Sequence, residues 1–579
     1  MKRGLLPTLL LLALALTACP SSPPPNLSVR ITSPTTTVAT KGSVTFQVVA
    51  EGGPETVELL RDGSPLVTLT PPYSYTWDTT STPEGTYTIT ARARRGSQTA
   101  TSDPVQVRVD RTPPQITARR PAVGEGNVYL GEPLTFTFNE PLLPTSLGSA
   151  RLSQGSTNLP LNPTLSSNGT QLSLRPQSLP SFTPDPAVLS LSLDGVSDLA
   201  GNAISGSSYS FSVPFWHQLG TTLDANTIQD AFSPSLALDA TSNPVVAWDE
   251  WDGTSYNIYV KRWNGTDWVQ LGSFLDANTN RDAFSPSLAL DATSNPVVAW
   301  DEWDGTSYNI YVKRWNGTGW VQLGSFLDAN TNRDAFSPSL ALDATSNPVV
   351  AWSESDGTSS NIYVKRWNGT DWVQLGSFLD ANTNRDAFSP SLALDATSNP
   401  VVAWSESDGT SSNIYVKRWN GTDWVQLGSF LDANTNRGAF SPSLALDATS
   451  NPVVAWSESD GTSSNIYVKR WNGTGWVQLG SFLDANTNRD AEVPSLALDA
   501  MGNPVVTWSE NDGTSRNIYI KRWNGTGWVQ LGSFLDANTN QDAYYPSLVL
   551  DTSGNPVVAW NERDGTAFSI YTKRQNRLP

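Results

Sequence analysis

The tryptophans Trp216, Trp268, Trp320, Trp372, Trp424, Trp476 and Trp528 stand 52 residues apart, and residues 216–579 divide into seven such units. A tandem repeat of this period constrains the fold strongly, because each unit is too small to bury a core alone and must stack on its neighbours. A typical unit reads WVQLGSFLDANTNRDAFSPSLALDATSNPVVAWSESDGTSSNIYVKRWNGTG. Within it PSLALD alternates large and small residues, and NPVVAW is a short apolar run suited to a strand buried on both faces. NIYVKRW is β-rich with a charged end, and the Asn-Gly of the following WNGT favours a tight turn into WVQLGSF. No stretch has helical periodicity. Four antiparallel strands in each of seven units predict the blades of a seven-bladed β-propeller, and with the upstream strands an all-β chain.

The order in which the repeat starts predicts closure. The first unit opens on WHQLG, the strand that would be outermost in a blade, and the last stops at SIYTKRQNRLP, a third strand. Pairing the two completes the seventh blade and joins the ends of the array. An open solenoid would instead need polar caps, and none is visible. The propeller is therefore expected over 215–579.

Upstream, residues 27–110 alternate through Val44, Phe46 and Val48 and again through Tyr87, Ile89, Ala91 and Ala93, with an Asp62-Gly63 hairpin signal between VELL and PLVTL. This spacing of short strands predicts a β-sandwich. PPYSYTWDTTSTPEGTYTITARA and VQVRVDRTPP resemble bacterial Ig-like modules of surface proteins, with Trp77 then a core residue. Residues 111–214 carry GEPLTFTFNEPL and VSDLAGNAI, which are similar to the SbsA-type Ig-like domain; the Ser-, Pro- and Asn-rich middle departs from it. The resemblance implies two sandwiches used as a stalk.

The first nineteen residues, MKRGLLPTLLLLALALTAC, have a short basic start and an apolar run of signal-peptide length. Leu16-Thr17-Ala18-Cys19 resembles the bacterial lipobox, which implies lipidation of Cys19 and a membrane partner through the lipid anchor. Residues 20–26 then form a Pro/Ser spacer. The expected location is the bacterial envelope, facing outward from an outer membrane or cell surface. Cys19 is the single cysteine, so no intrachain disulfide can form, and the single His217 argues against His-rich metal sites and a His-based triad. A net charge of -18 argues against nucleic acid, which needs clustered Lys and Arg, and suits cations or neutral glycans.

Chemistry is expected on the propeller face that carries the longer loops. In blades 1 and 2 the hairpin loop reads WDEWDGTSYN, where blades 3–5 read WSESDGTSSN. Trp251, Tyr256, Trp303 and Tyr308 could stack on a sugar ring while Glu250 and Asp252 accept its hydroxyl hydrogen bonds; drift after duplication explains the same letters. SxSDGT is similar to the Asp-box of sialidase-like propellers, a structural turn, and departs from it in spacing. The long connection places Asp276, Asn278, Asn280 and Asp282 at alternate positions. That pattern suits a calcium loop, although Arg281 occupies the usual glycine position, and it suits better an Asx-rich turn that caps its own backbone. No other cofactor is indicated.

Near the axis Glu492-Val493 and Tyr544-Tyr545 replace Phe-Ser. Three functions stay open: a non-catalytic surface protein binding glycan, envelope polymer or protein; a propeller-type glycoside hydrolase or lyase; and a structural envelope-assembly protein. An enzyme would need one asymmetric carboxylate pair at the mouth. Near-identical blades favour binding.

Overall fold

The computed structural model describes residues 25–578 apart from Thr279, Thr331, Thr435, Thr487 and Thr539; Cys19 and its lipobox lie outside the described residues. Strands account for nearly all regular structure, with one short 3-10 turn at Pro144–Ser149. The first sandwich packs a three-stranded sheet against a larger one built around Gly85–Arg95. Its core is the alternating set foreseen, with Phe46, Leu59, Ile89 and Val107 buried and Trp77 closing one side. The second sandwich has two four-stranded sheets around Phe136, Leu174, Leu191 and Phe211.

The remainder is the seven-bladed propeller. Blade 1 consists of Ala231–Leu238, Pro244–Trp251, Tyr256–Trp263 and Trp268–Gln270, hydrogen-bonded in that order, and the next five blades repeat it. Blade 7 takes its outer strand from Trp216–Gln218, which pairs antiparallel with Phe568–Gln575 in the register Trp216↔Gln575. The expected latch is therefore present.

A second set of bonds closes the ring at its axis. The Ser of each PSL segment accepts a backbone N–H from the next blade. Leu288 N–H reaches Ser235 Oγ and Leu340 N–H reaches Ser287 Oγ, both at 3.0 Å. The series runs around to Leu236 N–H on Ser547 Oγ, also at 3.0 Å, which ties blade 1 to blade 7. Between blades lie clusters of Val, Ile and Leu around one buried Trp, such as Trp300 between Val245 and Val298. Burying such a Trp removes roughly 150–250 Å² from water.

Strands run further than the apolar letters suggested. Pro244–Trp251 continues through Asp249, Glu250 and Trp251, and Trp251 pairs directly with Tyr256. The inner strand includes Ala-Phe-Ser before PSL, bent by a bulge between Phe232 and Ser235. Ser233 at that bulge has φ +53°, and the same position holds Val493 (φ +52°) and Tyr545 (φ +50°) in blades 6 and 7. A β-branched residue in the left-handed region is strained, and such strain is held only by surrounding structure.

Candidate functional site

Side chains alternate along a strand, so residues i and i+2 share a face. In Pro244–Trp251 this parity separates the acidic letters. Trp248 and Glu250 turn one way; Asp249 and Trp251 turn the other, toward blade 2.

Glu250 is not a ligand-facing acceptor. It is fully buried, and its carboxylate takes the Trp248 indole N–H at 2.7 Å and the backbone N–H of Ala225 (2.9 Å) and Asn226 (2.6 Å). The same clasp recurs in every blade: Glu302, Glu354, Glu406, Glu458, Glu510 and Glu562 each hold the Asp-Ala-Asn of the incoming connection. Burial pushes the Glu250 carboxyl above its usual range while these donors oppose the rise. Asp252 is exposed but committed to its own turn. It accepts the N–H of Thr254 (2.7 Å) and Ser255 (3.0 Å) and the Asn257 side-chain amide (3.0 Å).

The alternate-oxygen loop is likewise a capped turn. Asn278 Nδ2 donates to the Tyr311 hydroxyl at 2.9 Å, and Asp282 Oδ1 accepts the Tyr256 N–H at 3.0 Å. Asn280 adopts φ +61° and ends the turn. Asp276 Oδ1 is buried without a partner, while its carbonyl takes the Lys313 ammonium at 2.7 Å. Asn278 and Asp282 are thus engaged by a tyrosine of blade 2 and the hairpin of blade 1, respectively. Between the two sandwiches, Asp110, Glu140 and Asp198 do converge. There Arg108 bridges Asp110 (2.7 Å) and Glu140 (2.6 Å), and Asn202 holds Asp198.

Trp251 and Trp303 are half-buried, less open than a free stacking platform would be. Each packs on the facing tyrosine, Trp251–Tyr256 at 5.3 Å and Trp303–Tyr308 at 5.4 Å between ring centres. The tyrosines continue inward onto Phe284 and Phe336 of the next blades, both at 5.0 Å. Tyr256, Tyr308, Phe284 and Phe336 line a cleft of about 560 Å³ beside the axis, with Phe232, Ser233, Ser285 and, from the adjoining blade 7, Tyr545.

Two acids that sequence reading passed over sit in its wall: Asp249 and Asp301, each 2 % exposed. Burial pushes Asp249 up to about 8, with the neighbouring Asp301 adding to the rise, and burial pushes Asp301 up to about 7. The signal was present in the sequence. Blades 3–6 have Ser at this position and blade 7 has Asn561, so the two aspartates are confined to the two blades that carry the extra Trp and Tyr. In blade 3 an adjacent space of about 610 Å³ is lined instead by Ser353, Ser355, Ser360 and Arg333. The lone Glu492 near the axis is ion-paired with Arg516 at 2.8 Å.

Comparison with known proteins places the sandwiches. Residues 28–91 match the bacterial Ig domain family and residues 110–213 the bacterial Ig-like domain family. A curated relative, an S-layer protein of Geobacillus stearothermophilus, is 25% identical over 314 residues. The match covers 48% of this chain and 26% of that protein, so the chain spans about a quarter of the relative's length. Among solved structures, a Dyadobacter fermentans protein of unknown function has a TM-score of 0.41 at 11% identity, covering 63% of this chain and 100% of that one. The SapL1 lectin in complex with alpha methyl fucoside has a TM-score of 0.35 at 16% identity, covering 54% and 99%. Polysaccharide lyase Uly1 has 0.39 at 6%, covering 62% and 92%. At these scores and identities they bear on neither ligand nor chemistry.

Proposed function

We infer that this chain is a non-catalytic bacterial cell-surface protein, anchored through a lipid on Cys19, whose propeller binds a glycan or envelope polymer in the cleft over blades 1–3. The observation that carries the reading is the asymmetry of a nearly uniform ring. Only blades 1 and 2 bring an Asp and a Tyr each to one cleft, and a mostly apolar site with a few aimed polar groups is where a ligand is expected. The bacterial Ig-like modules and the S-layer relative support a surface location.

The carboxyl pair also bears on the alternative of a glycoside-acting enzyme. Acid and base catalysis needs two carboxyls whose environments drive their pKa values apart. Burial drives Asp249 and Asp301 in the same direction, which supports binding over hydrolysis.

The test is a glycan array with the full chain in detergent, run beside Tyr256→Ser/Tyr308→Ser. Serine stands at both positions in blades 3–5, so the ring tolerates it. Binding by the parent and its loss in the variant are expected. Undiminished binding would move the site, and reducing-sugar release from a bound glycan would make the protein an enzyme.

A further inference from the structure

The cleft over blades 1 and 2 holds acidity that the protein itself does not neutralise. Asp249 Oδ1 is buried and receives no hydrogen bond. Asp301 Oδ1 accepts the Ser337 N–H at 3.1 Å. Among the described residues neither aspartate has a Lys or Arg within ion-pair distance. The charge that acts on Asp249 is that of Asp301, a second acid. A buried carboxyl with no cationic partner holds a proton, or gives it up to a cation that takes its place.

The walls decide which kind. A calcium ion wants six to eight oxygen ligands. Here the space beside the two carboxyls is walled by Phe232, Tyr256, Phe284, Tyr308, Phe336 and Tyr545. Aromatic faces attract organic cations and stack on C–H surfaces, and a volume of about 560 Å³ lies within the range of roughly 300–1,000 Å³ usual for small-ligand sites. The hydroxyls of Ser233 and Ser285 at the inner edge face Asp249 and Asp301 and hold their raised carboxyls back in part.

We propose that the cleft binds an amine-bearing sugar, its ammonium group facing Asp249 and Asp301 and its ring lying on the Tyr256 and Tyr308 side. This rests on the glycan-binding reading above and names the class of sugar. Blade 3 supplies an internal contrast: Ser353 and Ser360 replace Asp301 and Tyr308 in the wall of the adjacent space, whose remaining acid, Asp334, accepts the Tyr308 N–H.

The experiment is isothermal titration of the full chain in detergent with glucosamine oligomers, the matching N-acetylglucosamine oligomers, lysine oligomers of equal charge, and calcium chloride. Glucosamine oligomers should bind at least about tenfold more tightly than the acetylated ones, because acetylation removes the charge and leaves the ring. Asp249→Ser/Asp301→Ser should lower that affinity at least about tenfold while the thermal transition stays cooperative, since blades 3–5 already carry serine there. Near neutral pH the binding should release protons, read as a dependence of the heat on buffer ionisation.

Equal binding of the acetylated oligomers would overturn the amine assignment and leave the glycan reading standing. Tighter binding of lysine oligomers or of calcium would overturn it in favour of a protein or metal ligand. Affinity unchanged in the double serine variant would overturn the role of the two aspartates. No binding to any sugar would remove the glycan reading with it.

Discussion

At Asp249 a single letter changes what a blade does. In blades 3 and 4 the serine at that position donates to a carbonyl of the next blade, as Ser353 does to Ala387 O at 2.7 Å. Aspartate in the same slot cannot donate unless it is protonated. The charged and titratable neighbours of Asp249 are Asp301 and Tyr256, with Asp230 and Asp282 beyond the tyrosine. None is basic. Burial, with Asp301 adding to it, raises the folded-state pKa of Asp249 from 3.8 to about 8. Between these values the folded chain holds a proton that the unfolded chain has lost, so stability falls as pH climbs through that window. Ser at 249 and 301 should flatten the slope and raise stability near pH 8 by roughly 1–3 kcal/mol, the usual scale for relieving a poorly partnered buried polar group. Melting temperatures of parent and double variant, taken in steps from about pH 5 to about pH 8, check this; parallel curves would contradict it. The raised tyrosines need more alkaline conditions to titrate and do not enter that window.

Among the elements, the most repeated device is the glutamate clasp. Glu354 accepts the Trp352 indole at 2.7 Å and the N–H of Ala329 at 3.0 Å, and also the N–H of Asn330. Glu354→Ala leaves several buried donors unpaired and should cost roughly 2–4 kcal/mol. Asp356→Ala, in the exposed hairpin loop, removes only turn caps and should cost about 1 kcal/mol or less. Chemical unfolding of the full chain ranks the two, and equal effects would mean that the clasp is not what fixes the connection. This clasp also shows where sequence reading stopped. The period, the four strands and the permuted outer strand were legible, because periodicity and chain order are properties of the letters alone. The extent of Pro244–Trp251 was not, because its last three residues are polar or aromatic and read as loop. Once they are counted as strand, parity sends Glu250 inward and Asp249 toward the cleft. Asp252 caps its own turn, Glu250 clasps the incoming connection, and Asp249, one position away, lines the cleft. Tyr545 comes from the last blade, which ring closure sets beside the first, but that its side chain enters the cleft depends on the bulge before Pro546, which periodicity does not show.

For the whole molecule, two joints set the geometry. Between the sandwiches, Asn202 reaches the Asp110 carbonyl at 3.0 Å and Lys41 the Gly201 carbonyl at 2.5 Å. Between the second sandwich and the propeller, Asn576 is buried. It accepts the Leu130 N–H at 2.7 Å and donates to the Val128 and Pro214 carbonyls at 2.8 Å and 3.0 Å. Tyr129 lies between Arg574, at 3.6 Å, and His217, stacked at 5.0 Å. Burial, and then Arg574, pushes His217 down to about 3, so it stays neutral and the joint does not titrate near neutral pH. Tyr129 also borders the Ser242 and Asp551–Asn555 turns, which lie on the face opposite the aromatic cleft. The second sandwich therefore meets the ring from behind, and the cleft looks away from it. With the anchor proposed at Cys19, Cys19→Ser should move the protein from the detergent phase to the aqueous phase on temperature-induced phase separation; retention in detergent would rule that anchor out. The latch between Trp216–Gln218 and Phe568–Gln575 carries one more consequence, in time. A ribosome delivers the first of these strands more than three hundred residues before the second. Through that interval the growing array has a bare edge at each end, and blades of nearly the same sequence can dock in the wrong neighbourhood or on another nascent chain. The WHQ segment differs from the WVQ of every other outer strand and is already seated against Tyr129, so the newborn chain has one marked berth, and the last strand to emerge has one place to go.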